Sequence, residues 1–142
     1  MKAERKKIII LIVFIVYILI VLKLTIFRPD TFYAERQLSL AFFTNLINIY
    51  ETNGPGEFLR LFLGNIGWFI PYGFLLPLLL KKPSLPLIVT TALTFSFIIE
   101  STQFLSHKGV AELDDLILNT LGATLGYFLY ALSQKIISQL KP

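Results

Sequence analysis

The chain has 142 residues, 55% of them hydrophobic and 15% charged, with a mean hydropathy of +0.71. Soluble domains carry about 25% charged residues, so the composition excludes an ordinary soluble domain and leaves room for one compact membrane unit over 1–142. The net charge of +4 sits at the ends of apolar runs, so it reads as topology and not as a nucleic-acid footprint. With no cysteine and one histidine, disulfides, thiol nucleophiles and multi-histidine metal centres are excluded, and no cofactor is expected.

Lys2, Arg5, Lys6 and Lys7 precede an apolar run from Ile8 to Leu22. No small-residue cleavage site follows, and Leu24-Thr25-Ile26-Phe27 continues the run past Lys23. A retained first span over about 8–27 is therefore expected, long enough for a hydrocarbon core of about 30 Å. Arg28-Pro29-Asp30 should end it, because proline cannot continue the hydrogen-bond ladder. Residues 31–57 are too mixed to span. Leu38, Ala41, Phe42, Asn45, Leu46 and Ile49 recur at helical spacing, which predicts an amphipathic helix at the interface or folded against the bundle. Asn53-Gly54-Pro55-Gly56 is a turn.

A second span runs over about 58–80 and carries Gly64, Asn65, Gly67, Pro71, Gly73 and Pro77. Such helix breakers are tolerated in lipid where neighbouring helices or cavities satisfy the released carbonyls. Asn65, Trp68 and Tyr72 share a face. After Lys81-Lys82-Pro83, a third span covers about 85–105 and a fourth about 113–134. The expected class is an all-α integral membrane protein with four transmembrane helices and an extracytoplasmic interfacial helix.

Lysine and arginine placement sets the expected orientation. With the N-terminus inside, the inner set is Lys2, Arg5, Lys6, Lys7, Lys81, Lys82, Lys135 and Lys141, against an outer set of Lys23, Arg28, Arg36, Arg60 and Lys108. Both termini are thus expected on the cytoplasmic side.

The polar residues concentrate in residues 96–126, and ionisable groups in or beside a span usually mark a site. Ser96, Glu100, Gln103 and His107 form one stripe on the third helix, with Glu100 about 7 Å from its outer end. Asp115, Asn119, Gly122 and Gly126 form another on the fourth, while Asp114 points about 100° away. The short connection makes these helices antiparallel neighbours. One outward-facing polar pocket is predicted, walled by Asn65, Glu100, Gln103, Asp115 and Asn119. Plainer roles stand beside this one. Asp114 and Asp115 can cap a helix N-terminus, and Gly122-x-x-x-Gly126 can serve close helix packing. Asn65 and Asn119 can be interhelical hydrogen bonders, and His107 an exposed loop residue. A metal ion is not expected; Glu100, Asp114 and Asp115 are the oxygen donors that a hard cation would use.

Leu63-Gly64-Asn65 with Phe69-Ile70-Pro71-Tyr72-Gly73-Phe74-Leu75-Leu76-Pro77, then Glu100-Ser101-Thr102-Gln103, then Asp114-Asp115-Leu116-Ile117-Leu118-Asn119-Thr120-Leu121-Gly122 and Gly126, resemble the VanZ-like family. The likeness covers about residues 58–130, with a fainter echo at Thr25-Ile26-Phe27-Arg28. The chain departs from the pattern at Lys108-Gly109, where many members have Gly-Arg, and at Glu112, where they have Asp. The resemblance implies a small multi-pass protein of the bacterial cell membrane, connected with the cell envelope and low-level teicoplanin resistance. It implies Asn65, Glu100, Gln103, Asp115 and Asn119 as signature residues.

Two functions follow as expectations. One is a non-enzymatic protein that binds a lipid-linked cell-wall precursor or a lipophilic glycopeptide in the outward pocket. The other is an envelope enzyme acting on a lipid-linked substrate, with Glu100 and Asp115 as an acid–base pair. The oligomeric state is not legible in the sequence.

Overall fold

A computed structural model describes the backbone of residues 2–26, 33–41 and 43–140, and the side chains of all of these except Lys2, Ala3 and Asn45. Helix α1 is Lys2–Thr25, α2 is Thr44–Asn53, α3 is Pro55–Leu79, α4 is Leu85–Ser106 and α5 is Leu113–Leu140. Four of them, α1, α3, α4 and α5, are long and apolar enough to cross a membrane. At 1.5 Å per residue, the 25 residues of α3 extend about 37 Å, which clears a hydrocarbon core of about 30 Å. The protein is of the all-α, multi-pass membrane class that the sequence predicts.

The boundaries shift slightly. The helix expected at 58–80 begins at Pro55, because proline suits the first helical position, and Gly54 turns the chain ahead of it at φ 86°. The last helix continues past 134 to Leu140. Pro71 and Pro77 lie inside α3 without ending it. The expected stop at Arg28-Pro29-Asp30 lies outside the described residues, as do Phe27 and Phe42.

One expectation is corrected. The amphipathic pattern beginning at Leu38 does not start a helix there. Residues Gln37–Ser39 form a short strand, β1, which pairs in parallel with β2, Val110–Glu112, in the register Gln37↔Val110, Leu38↔Ala111 and Ser39↔Glu112. Tertiary pairing with Ala111 overrides the helical spacing at Leu38, the first residue of that pattern. The helix begins at Thr44, and Leu46 on its inner face is buried as α2 folds back on α3.

Helices α3 and α5 form the central pair, with α4 against α5 and α1 against α3. The central contact is backbone on backbone. A side chain on Gly73 would overlap the Ala123 carbonyl, one on Gly122 the Ile66 carbonyl, and one on Gly126 the Ile70 carbonyl. Small residues allow this approach, and dispersion and weak hydrogen bonds then hold the helices where lipid gives no hydrophobic drive. Around the pair, Phe69, Tyr72 and Phe95 interlock, with Tyr72 and Phe95 stacked at 5.6 Å between centroids. The Tyr17 hydroxyl donates to the Trp68 carbonyl at 2.5 Å and ties α1 to α3.

Not every glycine of α3 serves this contact, since nothing lies within 4 Å of a side chain built on Gly64. Gly122→Ala should therefore destabilise the protein by about 1–3 kcal/mol through overpacking. Gly64→Ala should be neutral, or stabilising by up to about 1 kcal/mol through helix propensity. Thermal unfolding of both variants in one detergent checks the contrast.

Candidate functional site

The three helices that carry the sequence motifs bring Asn65, Glu100, Gln103, Asp115 and Asn119 around one cavity of about 250 Å³. Asn65 comes from α3, Glu100 and Gln103 from α4, and Asp115 and Asn119 from α5. The Asn65 amide donates to the Asp115 carboxylate across the α3–α5 contact. The Asn119 amide donates to the Ser96 hydroxyl at 2.9 Å, linking α5 to α4. The Gln103 amide reaches the Thr25 carbonyl at 3.0 Å, at the last residue of α1. Glu100, only 4% exposed, accepts the Glu112 backbone N–H at 2.9 Å. All five of these side chains thus bridge different elements, through four hydrogen bonds, and the four long helices all contribute to the cavity's frame.

The helical stripes account for this placement. Ser96, Glu100 and Gln103 are buried together on one face of α4. On α5 the stripe divides by depth: Asp115 and Asn119 reach the cavity, and Gly122 and Gly126 meet α3 below it. On α3 the shared face divides as well, since Asn65 and Trp68 line the cavity while Tyr72 turns into the aromatic core.

Other residues of the cluster hold the frame. His107 does not join the cavity wall. It ends α4 in the left-handed region at φ 58°, its ring nitrogen lies 3.2 Å from the Tyr33 carbonyl, and its own carbonyl accepts the Tyr33 N–H at 2.9 Å. Asp114, 2% exposed, accepts the Phe43 N–H at 2.9 Å, which fixes the start of α2 from 71 residues away. Arg36 lies 5.6 Å over the Phe104 ring, within cation–π range. Residues 33–41 and Phe43 therefore form a strap over the C-terminal end of α4 and the N-terminal end of α5, and Asp114 is a clamp on it. The weaker cation-binding set, Glu100, Asp114 and Asp115, does not converge: among the described residues no three His, Asp or Glu side chains form a metal cluster.

Arg60 is the cavity residue that sequence reasoning places only among the boundary charges. It forms a two-point ion pair with Glu57, at 2.5 and 2.8 Å. The available signal was an arginine five residues, or about 7.5 Å, before Asn65 on the same helix. A second concavity, an apolar groove of about 410 Å³, includes Leu38, Phe97, Phe104, Leu105 and Leu116, and it shares Glu100 with the polar cavity.

Four spanning helices, gathered on a glycine-lined central pair and framing a polar cavity, define a multi-pass helical membrane protein. The family model described as VanZ/LLP1 matches residues 14–134. The chain is similar to Protein VanZ of Enterococcus faecium, with 34% identity over 113 residues, which cover 77% of this chain and 62% of that protein. It belongs to the VanZ/LLP1 family. The chain thus spans a little under two thirds of the length of that relative. No solved structure matches it.

Two predictions follow from the geometry. Asp114→Ala leaves the Phe43 N–H without its acceptor and should speed hydrogen exchange across residues 37–43, with an opening cost lowered by about 1–3 kcal/mol. Exchange in α3 and α5 should stay slow. A double-mutant cycle on Asn65→Ala and Asp115→Ala should return a coupling energy of about 1–2 kcal/mol in unfolding measurements, as residues in direct contact do.

Proposed function

We propose that this protein binds an amphiphilic envelope ligand, a lipid-linked cell-wall precursor or a lipophilic glycopeptide, in the cavity walled by Asn65, Glu100, Gln103, Asp115 and Asn119. The observation that carries the reading is convergence. Five polar side chains spread over 55 positions of an apolar chain surround one cavity and are hydrogen-bonded across helices. Polar groups at this depth are costly in lipid, and their retention in one place supports a ligand-binding role. With the N-terminus inside, the lysine and arginine distribution puts both termini in the cytoplasm and opens the cavity to the cell-wall side of a bacterial membrane. Membership of the VanZ/LLP1 family supports a part in glycopeptide resistance of the teicoplanin type.

The second reading, an envelope enzyme with Glu100 and Asp115 as acid and base, has one observation in its favour: both carboxylates line the same cavity. Against it, each accepts a hydrogen bond from the protein, Glu100 from a backbone N–H and Asp115 from Asn65. Those bonds engage both side chains in holding the bundle together, which supports a structural and ligand-lining role.

Expression in a teicoplanin-susceptible bacterium tests the proposal. The intact chain should lower susceptibility, and Glu100→Gln and Asp115→Asn should each restore it with unchanged membrane abundance. If both variants keep the phenotype, the cavity is not the source of the function. Turnover of a cell-wall lipid by the purified protein, lost in either variant, would favour the enzyme.

A further inference from the structure

The end of the bundle away from the cavity gathers charge of one sign. Helix α1 runs antiparallel to α3, since Tyr17 meets the Trp68 carbonyl and Phe14 the Tyr72 ring. Helix α5 runs parallel to α3, because Gly122 lies against Ile66 and Gly126 against Ile70. The start of α1, the end of α3, the Lys81-Lys82 turn, the start of α4 and the end of α5 therefore share one end of the molecule. Counted along the helices from those contacts, Lys7 and Lys135 both come within about one turn of the level of Lys81. Lys7 also falls at the helical spacing of Phe14, Tyr17 and Val21, on the face of α1 that packs against the core.

Arg5, Lys6, Lys7, Lys81, Lys82 and Lys135 are all exposed, and the acid at this end among the described residues is Glu4. With Glu4 engaged by any one of them, five cations still outnumber it. Folding brings these charges to one level from three separate segments, where they repel one another, and an anion seated among them turns that repulsion into attraction. Within about a turn of the cations, on the side toward the middle of the bundle, lie Ile9 on α1, Leu87 on α4 and Leu132 on α5, which are 61%, 40% and 55% exposed. A belt of cations beside exposed apolar side chains, on helices long enough to cross a membrane, matches a molecule with an anionic headgroup and hydrocarbon tails. A soluble polyanion would meet the charges and leave the apolar half of the surface unmatched.

We infer that this end of the bundle is a binding surface for anionic phospholipid, with the headgroup phosphate among Lys7, Lys81 and Lys82 and the acyl chains against the exposed apolar faces of α1 and α4. Lysine suits the position, because its alkyl stem lies along apolar surface while the ammonium reaches the headgroup level. The surface is remote from the cavity, whose walls include Thr25 at the end of α1 and Asp115 at the start of α5, so it stands whether or not the cavity takes a ligand.

The test uses the full chain in a neutral detergent, with native mass spectrometry to compare retention of phosphatidylglycerol and phosphatidylcholine and thermal melting to follow their effect. Phosphatidylglycerol should be held at least about tenfold more tightly and should raise the melting temperature, by an amount that shrinks as salt is raised from about 0.05 to 0.5 M. Lys7→Gln, Lys81→Gln and Lys82→Gln combined should bring phosphatidylglycerol down to the level of phosphatidylcholine. Melting without lipid should not change, since the three side chains are exposed. Lys23→Gln, at the opposite end of α1, should leave the preference intact. Equal retention of the two lipids, a salt-independent preference, or a triple variant that keeps the preference overturns the inference. Glycerol phosphate or hexaglutamate raising the melting temperature as far as phosphatidylglycerol does would make the occupant a soluble anion, and overturns it as well.

Discussion

The close approach of α3 and α5 is the constraint on which the other features depend. Carbonyls of Ile66, Ile70 and Ala123 sit against Gly122, Gly126 and Gly73, so the two helices are locked in both separation and register. The lock fixes Asn65 opposite Asp115, because each lies less than two turns before the Ile66–Gly122 contact on its own helix. A shift of one residue along α3 would turn Asn65 away by about 100° and move Ile66 off Gly122 at the same time. Packing and site are thus a single geometric condition.

The remaining helices are attached to this pair by polar contacts. Gln103 holds the end of α1, Asn119 holds Ser96 on α4, and Glu100 holds the backbone just ahead of α5. In water, hydrogen bonds like these compete with solvent and contribute about 0.5–1.5 kcal/mol each. In lipid the alternative partners are scarce, and unpaired buried groups are avoided. Consistently, no described buried side-chain nitrogen or oxygen lacks a partner. The signature side chains serve architecture and cavity lining together, which limits how far either role can vary alone.

Much of this was legible in the sequence. The spans were, because continuous apolar runs carry a strong signal. So was the assembly of the cavity residues, since the helical period fixes which side chains share a face and the short α4–α5 connection sets those faces together. The strap was not. Its strands are three residues long, and Leu38 fits a helical spacing as well as a strand. Asp114 read as a cap because it stands in the first turn of α5, where carboxylates commonly cap. Its partner lies 71 residues earlier, and nothing local encodes that distance. Arg60 escaped because its charge matched the boundary pattern equally well.

The long reach of that strap bears on how the protein is made. Residues 37–39 leave the ribosome well before their pairing partners at 110–112, with α3 and α4 emerging between them. Closing so large a loop carries an entropic cost that must be met before the pairing gives anything back. Through that interval the segment has no strand to pair with. The surface around Glu100 is therefore assembled late, once α4 has been threaded and β2 has followed it, and a chain halted before that point would lack this face.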